Sequence, residues 1–246
     1  MLLSVIILFI AAMAAGMAVF IIPQFDQNRF KVALSFSGAY LFSITIIHII
    51  PELFHEAKDL KLTGIYVLAG FFLQMILEFF STGVEHGHLH HHPGHSHSNH
   101  VPYSMFIALF IHAFLEGTLL VHPTHAHGSE DAHTLLYGLI MHKVPEAFAL
   151  MSVLMFSLKN KYSAVLLLTI FALASPLGLI ISSIFFSTDW VPEQVFIFLF
   201  AIVAGNFLYI STTIFFENSP NHKFKANRVL VSILGALLAI MAEYLL

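Results

Sequence analysis

Eight stretches of about twenty mostly apolar residues fill nearly the whole chain, at residues 1–22, 32–54, 62–84, 102–121, 134–157, 162–186, 194–216 and 228–246. A helix that crosses the roughly 30 Å hydrocarbon core of a bilayer needs about that many. The runs are too long, and too rich in Gly and Ala, for barrel strands, which alternate over about ten residues. Backbone polar groups in lipid must pair within their own segment, so the chain reads as an all-α, polytopic bundle of eight transmembrane helices. Little sequence remains between the spans, and residues 1–246 form a single transmembrane domain. Only 10% of the residues are charged, where a soluble domain carries about a quarter. Ten Lys and Arg stand against fourteen Asp and Glu with no basic stripe, which excludes nucleic-acid partners, and the apolar content excludes disorder. There is no Cys, hence no disulfide and no thiolate metal site. Residues 1–22 have no basic leader segment and are followed at once by another span, so they read as an uncleaved first helix.

Seven of the ten basic residues (Arg29, Lys31, Lys159, Lys161, Lys223, Lys225, Arg228) lie in or beside the loops after helices one, five and seven. The opposite loops hold Lys58 and Lys61 beside the acids Glu130, Asp131, Asp189 and Glu193. The positive-inside bias therefore places the odd-numbered loops in the cytoplasm and both termini outside.

Seventeen His are the anomaly in this composition. Eight of the fifteen residues from 86 to 100 are His: His86, His88, His90, His91, His92, His95, His97 and His100. They make residues 85–101 a His-rich loop on the cytoplasmic side. Neutral imidazoles offer lone pairs to borderline divalent metals, and the interspersed Gly and Pro favour many exchangeable sites over one fixed geometry. A smaller group (His122, His125, His127 and His133, with Glu130 and Asp131) lies in an outer loop, and reads equally as a metal-collecting mouth or as an ordinary wet loop.

The sharpest signal is inside the spans. Helix four contains His112 and Glu116, and helix five His142 and Glu146. A four-residue step turns about 40° around a helix, so each pair projects from one face, one turn apart. An ionised group at the bilayer centre costs ~2.5–3.5 kcal/mol even on the mildest scale, so unpartnered carboxylates would be a heavy liability. If the two faces meet, they offer an N₂O₂ ligand set suited to Zn²⁺ and tolerable for Fe²⁺, Mn²⁺, Co²⁺ or Ni²⁺. The alternative is interhelical pairing of each Glu with a His or with Lys143. Pro145, between the helix-five pair, removes a backbone bond. It reads either as a break in the helix beside a midplane site or as a packing kink.

These residues resemble the ZIP (Zrt-, Irt-like) divalent metal transporter family over essentially the whole chain. His112 to Gly117 is similar to the family's fourth-helix His-x-x-x-Asp/Glu-Gly, and His142, Pro145 and Glu146 to its fifth-helix motif. His48-Ile49-Ile50-Pro51-Glu52 in helix two, Ser175-Pro176-Leu177-Gly178 in helix six and Gly205-Asn206-Phe207-Leu208-Tyr209 in helix seven are also family-like. The resemblance implies a ZIP-like bundle with a His-rich inner loop. It implies transport of a divalent metal, most readily zinc, into the cytoplasm, with His112, Glu116, His142 and Glu146 as ligands. It puts His48 towards the outer entrance. Many members hold two metals, using further ligands at the positions of Ala113, Lys143 and Ser175 in this chain. Ala cannot ligate, Ser does so poorly, and a Lys⁺ repels a second dication. The departures imply a single-metal site, with Lys143 and Ser175 beside the pathway.

Two rival functions are weaker. Cation diffusion facilitators, which export, pair six spans with a cytoplasmic C-terminal domain, whereas this chain has eight spans and no such domain is expected after Leu246. A membrane-embedded zinc hydrolase wants three ligands, an open water position and a separate base, and no His-Glu-x-x-His occurs. An enzyme is therefore not expected, and ATP is not the direct energy source because no Walker A motif is present. The bilayer and a divalent ion are the expected partners. Gly16, Ala14, Ala15, Gly235 and Ala236 permit a homodimer and, equally, packing within one chain. The short loops and the absence of a targeting motif point to a cell membrane, specifically a bacterial inner membrane.

Overall fold

The computed structural model describes residues 1–22, 27–81, 103–121, 131–158, 160–187, 192–217 and 226–245. Among them every regular element is helical and the order follows the eight expected spans. Helix α1 is Leu2–Met17, extended by a tight turn over Ala18–Phe20. Helix α2 runs from Gln27–Ile44 through a wider π-helical turn, Thr45–Ile49, into Ile50–Glu56. Then come α3 (Leu60–Ser81), α4 (Tyr103–Thr118), α5 (Asp131–Ser157), α6 (Lys161–Ser187), α7 (Glu193–Glu217) and α8 (Ala226–Leu245).

Local chemistry sets several ends. Asp59 caps α3, its Oδ1 accepting the amides of Lys61 and Leu62 at 3.0 Å each. Asn160 caps α6 by accepting the amide of Tyr162 at 2.9 Å. Among the described residues, seven helices have the length and apolarity to cross a membrane. The exception is α4, expected over residues 102–121 but only 16 residues long. After Thr118 the amides of Leu119, Leu120 and Val121 reach back only three residues, so the helix tightens into turns. Surface side chains confirm an apolar exterior: on α3, Ile65, Leu68, Phe72, Ile76 and Phe79 are all exposed at helical spacing.

The helices pack as two groups. In one, α4 lies along α6, and α1 lies against α5 and α6. In the other, α3 lies along α7, and α2 along α8 and α7. Backbone-to-backbone approach joins helices within each group. A Cβ added to Gly117 would lie 2.0 Å from the Ser175 carbonyl oxygen, and one on Gly178 would lie 2.1 Å from that of Phe114. Gly70 faces the Ile202 carbonyl and Gly205 that of Val67, each at 1.9 Å from an added Cβ. Only glycine permits such contact. Between the groups, α2 meets α5 and α3 meets α4. There Gly138 of α5 faces the Tyr40 ring of α2, whose Cε1 would be 3.0 Å from an added Cβ. Side chains, not backbones, line that contact.

Candidate metal centre

The faces of α4 and α5 that carry His and Glu turn towards one another. His112, Glu116, His142 and Glu146 are each at most 1% exposed, and one ligand atom from each lies within 4.8 Å of all the others. His112 Nε2 is 3.1 Å from Glu116 Oε1, the i,i+4 partner expected from helical geometry. His142 Nε2, from the neighbouring helix, is 3.7 Å from that same oxygen. The two imidazoles are perpendicular, with centroids 5.9 Å apart. One carboxylate oxygen of Glu116 thus faces both rings.

Lys143 closes the other side. It is 2% exposed, and its Nζ donates to Glu116 Oε2 and, at 2.7 Å, to Glu146 Oε2. The ammonium also sits 5.1 Å from the centroid of the Phe171 ring of α6, whose face favours a cation. Lys143 thus pairs the two acids across the helices, while one imidazole or carboxylate atom from each of the four residues still lies close to the others. Neighbouring donors at the ~2.0–2.2 Å bond lengths of zinc lie roughly 3–3.6 Å apart, so contraction of the widest gap by about 1 Å would let all four ligate one ion.

The other expected site residues fall elsewhere. Ser175 is buried at the α4–α6 seam, and its hydroxyl donates to the Ala113 carbonyl at 2.8 Å. His48 lies in the π-helical turn of α2, with Nδ1 2.9 Å from Glu243 Oε1 and Nε2 3.4 Å from Glu52 Oε2. Glu243 was not foreseen as its partner. As the one acid in the apolar run of α8, it carries the ordinary signal of an intramembrane ionisable residue.

Pro145 does not break α5, which is helical from Asp131 to Ser157. The departure from α geometry is instead in α2, where the amide of Ile50 reaches five residues back to the Thr45 carbonyl. Pro51 follows directly. Its ring presses on the carbonyl four residues earlier and offers that carbonyl no N–H, and a widened turn accommodates both effects. The His-rich loop (His86, His88, His90, His91, His92, His95, His97, His100) lies outside the described residues, as do His122, His125, His127 and Glu130. Asp131 and His133 fall in the first turn of α5.

The family model of the ZIP zinc transporters matches residues 1–105 and 98–242. The chain belongs to that family. A search of curated proteins finds no match. Membership of the ZIP family implies divalent metal transport, carried out by membrane proteins that are transporters and not enzymes. The eight-helix bundle and the buried His/Glu cluster accord with it.

Proposed function

We propose that this ZIP protein moves a divalent transition metal, Zn²⁺ most readily, from outside into the cytoplasm, with His112, Glu116, His142 and Glu146 as the transport ligands. The observation that carries this reading is the convergence of the four buried donors within 4.8 Å. Two imidazoles and two carboxylates suit Zn²⁺ and also admit Fe²⁺, Mn²⁺, Co²⁺ or Ni²⁺. The metal is the cargo.

Lys143 makes this a one-ion site. Between Glu116 and Glu146 its ammonium occupies the carboxylate face that a second dication would need, and repels that dication. It also leaves the empty cluster at one net negative charge, with the imidazoles neutral. The loaded cluster is then one net positive charge. Both states are modest charges to hold in a low-dielectric core, which favours release as well as capture.

Alternating access follows from the two helix groups. All four ligands ride on α4 and α5, in the group also containing α1 and α6. Sliding that group against α2, α3, α7 and α8 would carry the cluster from one side to the other. The positive-inside bias supports termini outside and the His-rich loop inside, where it would receive the ion. The short loops support a bacterial inner membrane.

Uptake of radioactive zinc into cells or right-side-out vesicles tests the reading. Glu116→Ala and His142→Ala should each abolish metal-dependent uptake while the protein stays in the membrane at normal amount. Full uptake by either variant removes the ligand assignment, and lowered cellular zinc on expression of the native chain would mean export.

A further inference from the structure

Lys143 is the one Lys or Arg that lies away from the ends of a span. The helix group that the cluster must slide past has none: residues 32–56, 62–81, 193–217 and 229–245 contain no Lys or Arg. Each contact of Lys143 lies instead inside its own group. Its Nζ donates to Glu116 of α4 and Glu146 of α5, and it faces the Phe171 ring of α6. Whatever cation accompanies the two acids is therefore carried with them and is not supplied by the wall.

The face of α2 opposite the cluster shows what that wall is made of. Its register on α5 is set at two levels. The Tyr40 ring faces Gly138, and the Phe30 ring lies 6.3 Å, centroid to centroid, from that of Phe148. Both intervals are ten residues, 138 to 148 and 30 to 40, or about 15 Å of helix. His142, Lys143 and Glu146 fall between the two contacts. Over that length α2 is apolar or bonded to itself: Leu34 is fully buried, and the Ser35 and Ser37 hydroxyls donate to the Lys31 and Leu34 carbonyls at 2.7 and 3.2 Å. A charged cluster moving along such a face finds no counter-charge on it.

Resting on the transport reading above, we propose that Lys143 stands in for the cargo when the unloaded carrier returns, so that transport of the metal needs no counter-ion. The cost of holding charge in a low-dielectric medium grows as its square, so a double charge costs about four times a single one. Without the ammonium, Glu116 and Glu146 would return as a double negative charge, whereas the loaded site would cross neutral. Return would then be the slow half of the cycle. With the ammonium in place the two crossings carry single charges of opposite sign, and their costs are matched. No proton or other ion has to make the return journey, and each Zn²⁺ takes its own charge across uncompensated.

Zinc flux in liposomes reconstituted with the full-length chain separates the two halves of the cycle. Net uptake into zinc-free vesicles needs the unloaded return, whereas exchange of radioactive Zn²⁺ for unlabelled Zn²⁺ inside does not. In the native protein the two rates should be similar. In Lys143→Ala net uptake should fall about tenfold or more relative to exchange, and Lys143→Arg, which keeps the charge, should restore the ratio. A cation needed only for folding or for binding would lower both fluxes together, so an unchanged ratio in Lys143→Ala overturns the proposal. A second measurement uses the native protein alone. Under an imposed membrane potential, the charge moved per zinc should equal that of the Zn²⁺ ion and should not change with a pH difference across the membrane. Electroneutral uptake, or a charge ratio that shifts with the pH difference, means that another ion makes the return and overturns the proposal. Uptake that survives Glu116→Ala counts against the core assignment. Uptake lost in Glu116→Ala, with an unchanged ratio in Lys143→Ala, counts against the return role of Lys143 alone.

Discussion

Lys143 shares a space closed to water with Glu116 and Glu146, so each of the three charges depends on the other two. Removing one partner of such a buried set costs ~3–5 kcal/mol, because the remaining charges lose their counter-ion without regaining solvent. Lys143→Ala would leave two carboxylates on facing turns of α4 and α5 with no cation between them. The metal-free variant is therefore expected to unfold in detergent at lower temperature than the native protein. Zn²⁺ should restore more stability to the variant than it adds to the native chain, since the ion takes over the role of the ammonium. Differential scanning fluorimetry with and without Zn²⁺ measures both. Equal zinc-induced shifts in the two proteins would show that Lys143 does not act as the internal counter-ion. The same substitution is expected to slow turnover while tightening binding, because a dication then neutralises the two acids completely and leaves less readily.

The helix seams depend on atoms that glycine lacks. Gly117→Ala would drive a Cβ into the Ser175 carbonyl, a backbone atom that cannot swing away, and overpacking of this kind costs ~1–3 kcal/mol or more. Gly64 on α3 has nothing within 4 Å of an added Cβ, and Gly64→Ala should be neutral or stabilise the helix by up to ~1 kcal/mol. Comparing the membrane yield and melting temperature of the two variants checks the seam, and equal behaviour would refute it. At this scale the sequence is readable where a single helix decides the outcome. The spans and the i,i+4 steps of His112 to Glu116 and of His142 to Glu146 follow from local period and chemistry. Relations between helices are not local. Nothing near His48 foretells that Glu243, 195 positions away, lies 2.9 Å from its ring. Proline is as ambiguous locally: of the two readings open for Pro145, the break is not found, since it sits in an unbroken helix, and the widened turn falls before Pro51. The same residue type gives a different result because the surrounding bundle decides where the backbone can yield.

Across the whole molecule, the working parts are divided between the helix groups and the loops. The His-rich segment is a receiver in the transport reading, so deleting residues 86–100 should change capacity or regulation and leave zinc uptake measurable. Complete loss of uptake in a normally inserted protein would give the loop a larger role. The helix groups themselves differ in how they are joined. Within each, backbones touch at Gly117 and Gly178 or at Gly70 and Gly205, although Gly16 and Gly38 face side chains; between them, the described contact at Gly138 is with the ends of the Tyr40 and Ile44 side chains. A boundary made of side chains can slide at lower cost than one in which carbonyls fit against Cα atoms. If transport is that sliding, a covalent tie across the boundary must stop it and a tie within one group must not. The absence of native Cys makes the comparison clean. Ile44→Cys with Gly138→Cys would link α2 to α5, and Gly38→Cys with Ile214→Cys would link α2 to α7 inside one group, where the added Cβ of Gly38 lies 3.2 Å from Ile214 Cβ. Oxidation should abolish zinc uptake in the first variant, with recovery on reduction, and leave it intact in the second. Uptake that survives the α2–α5 link would mean that the metal reaches His112 and His142 without relative movement of the two groups there.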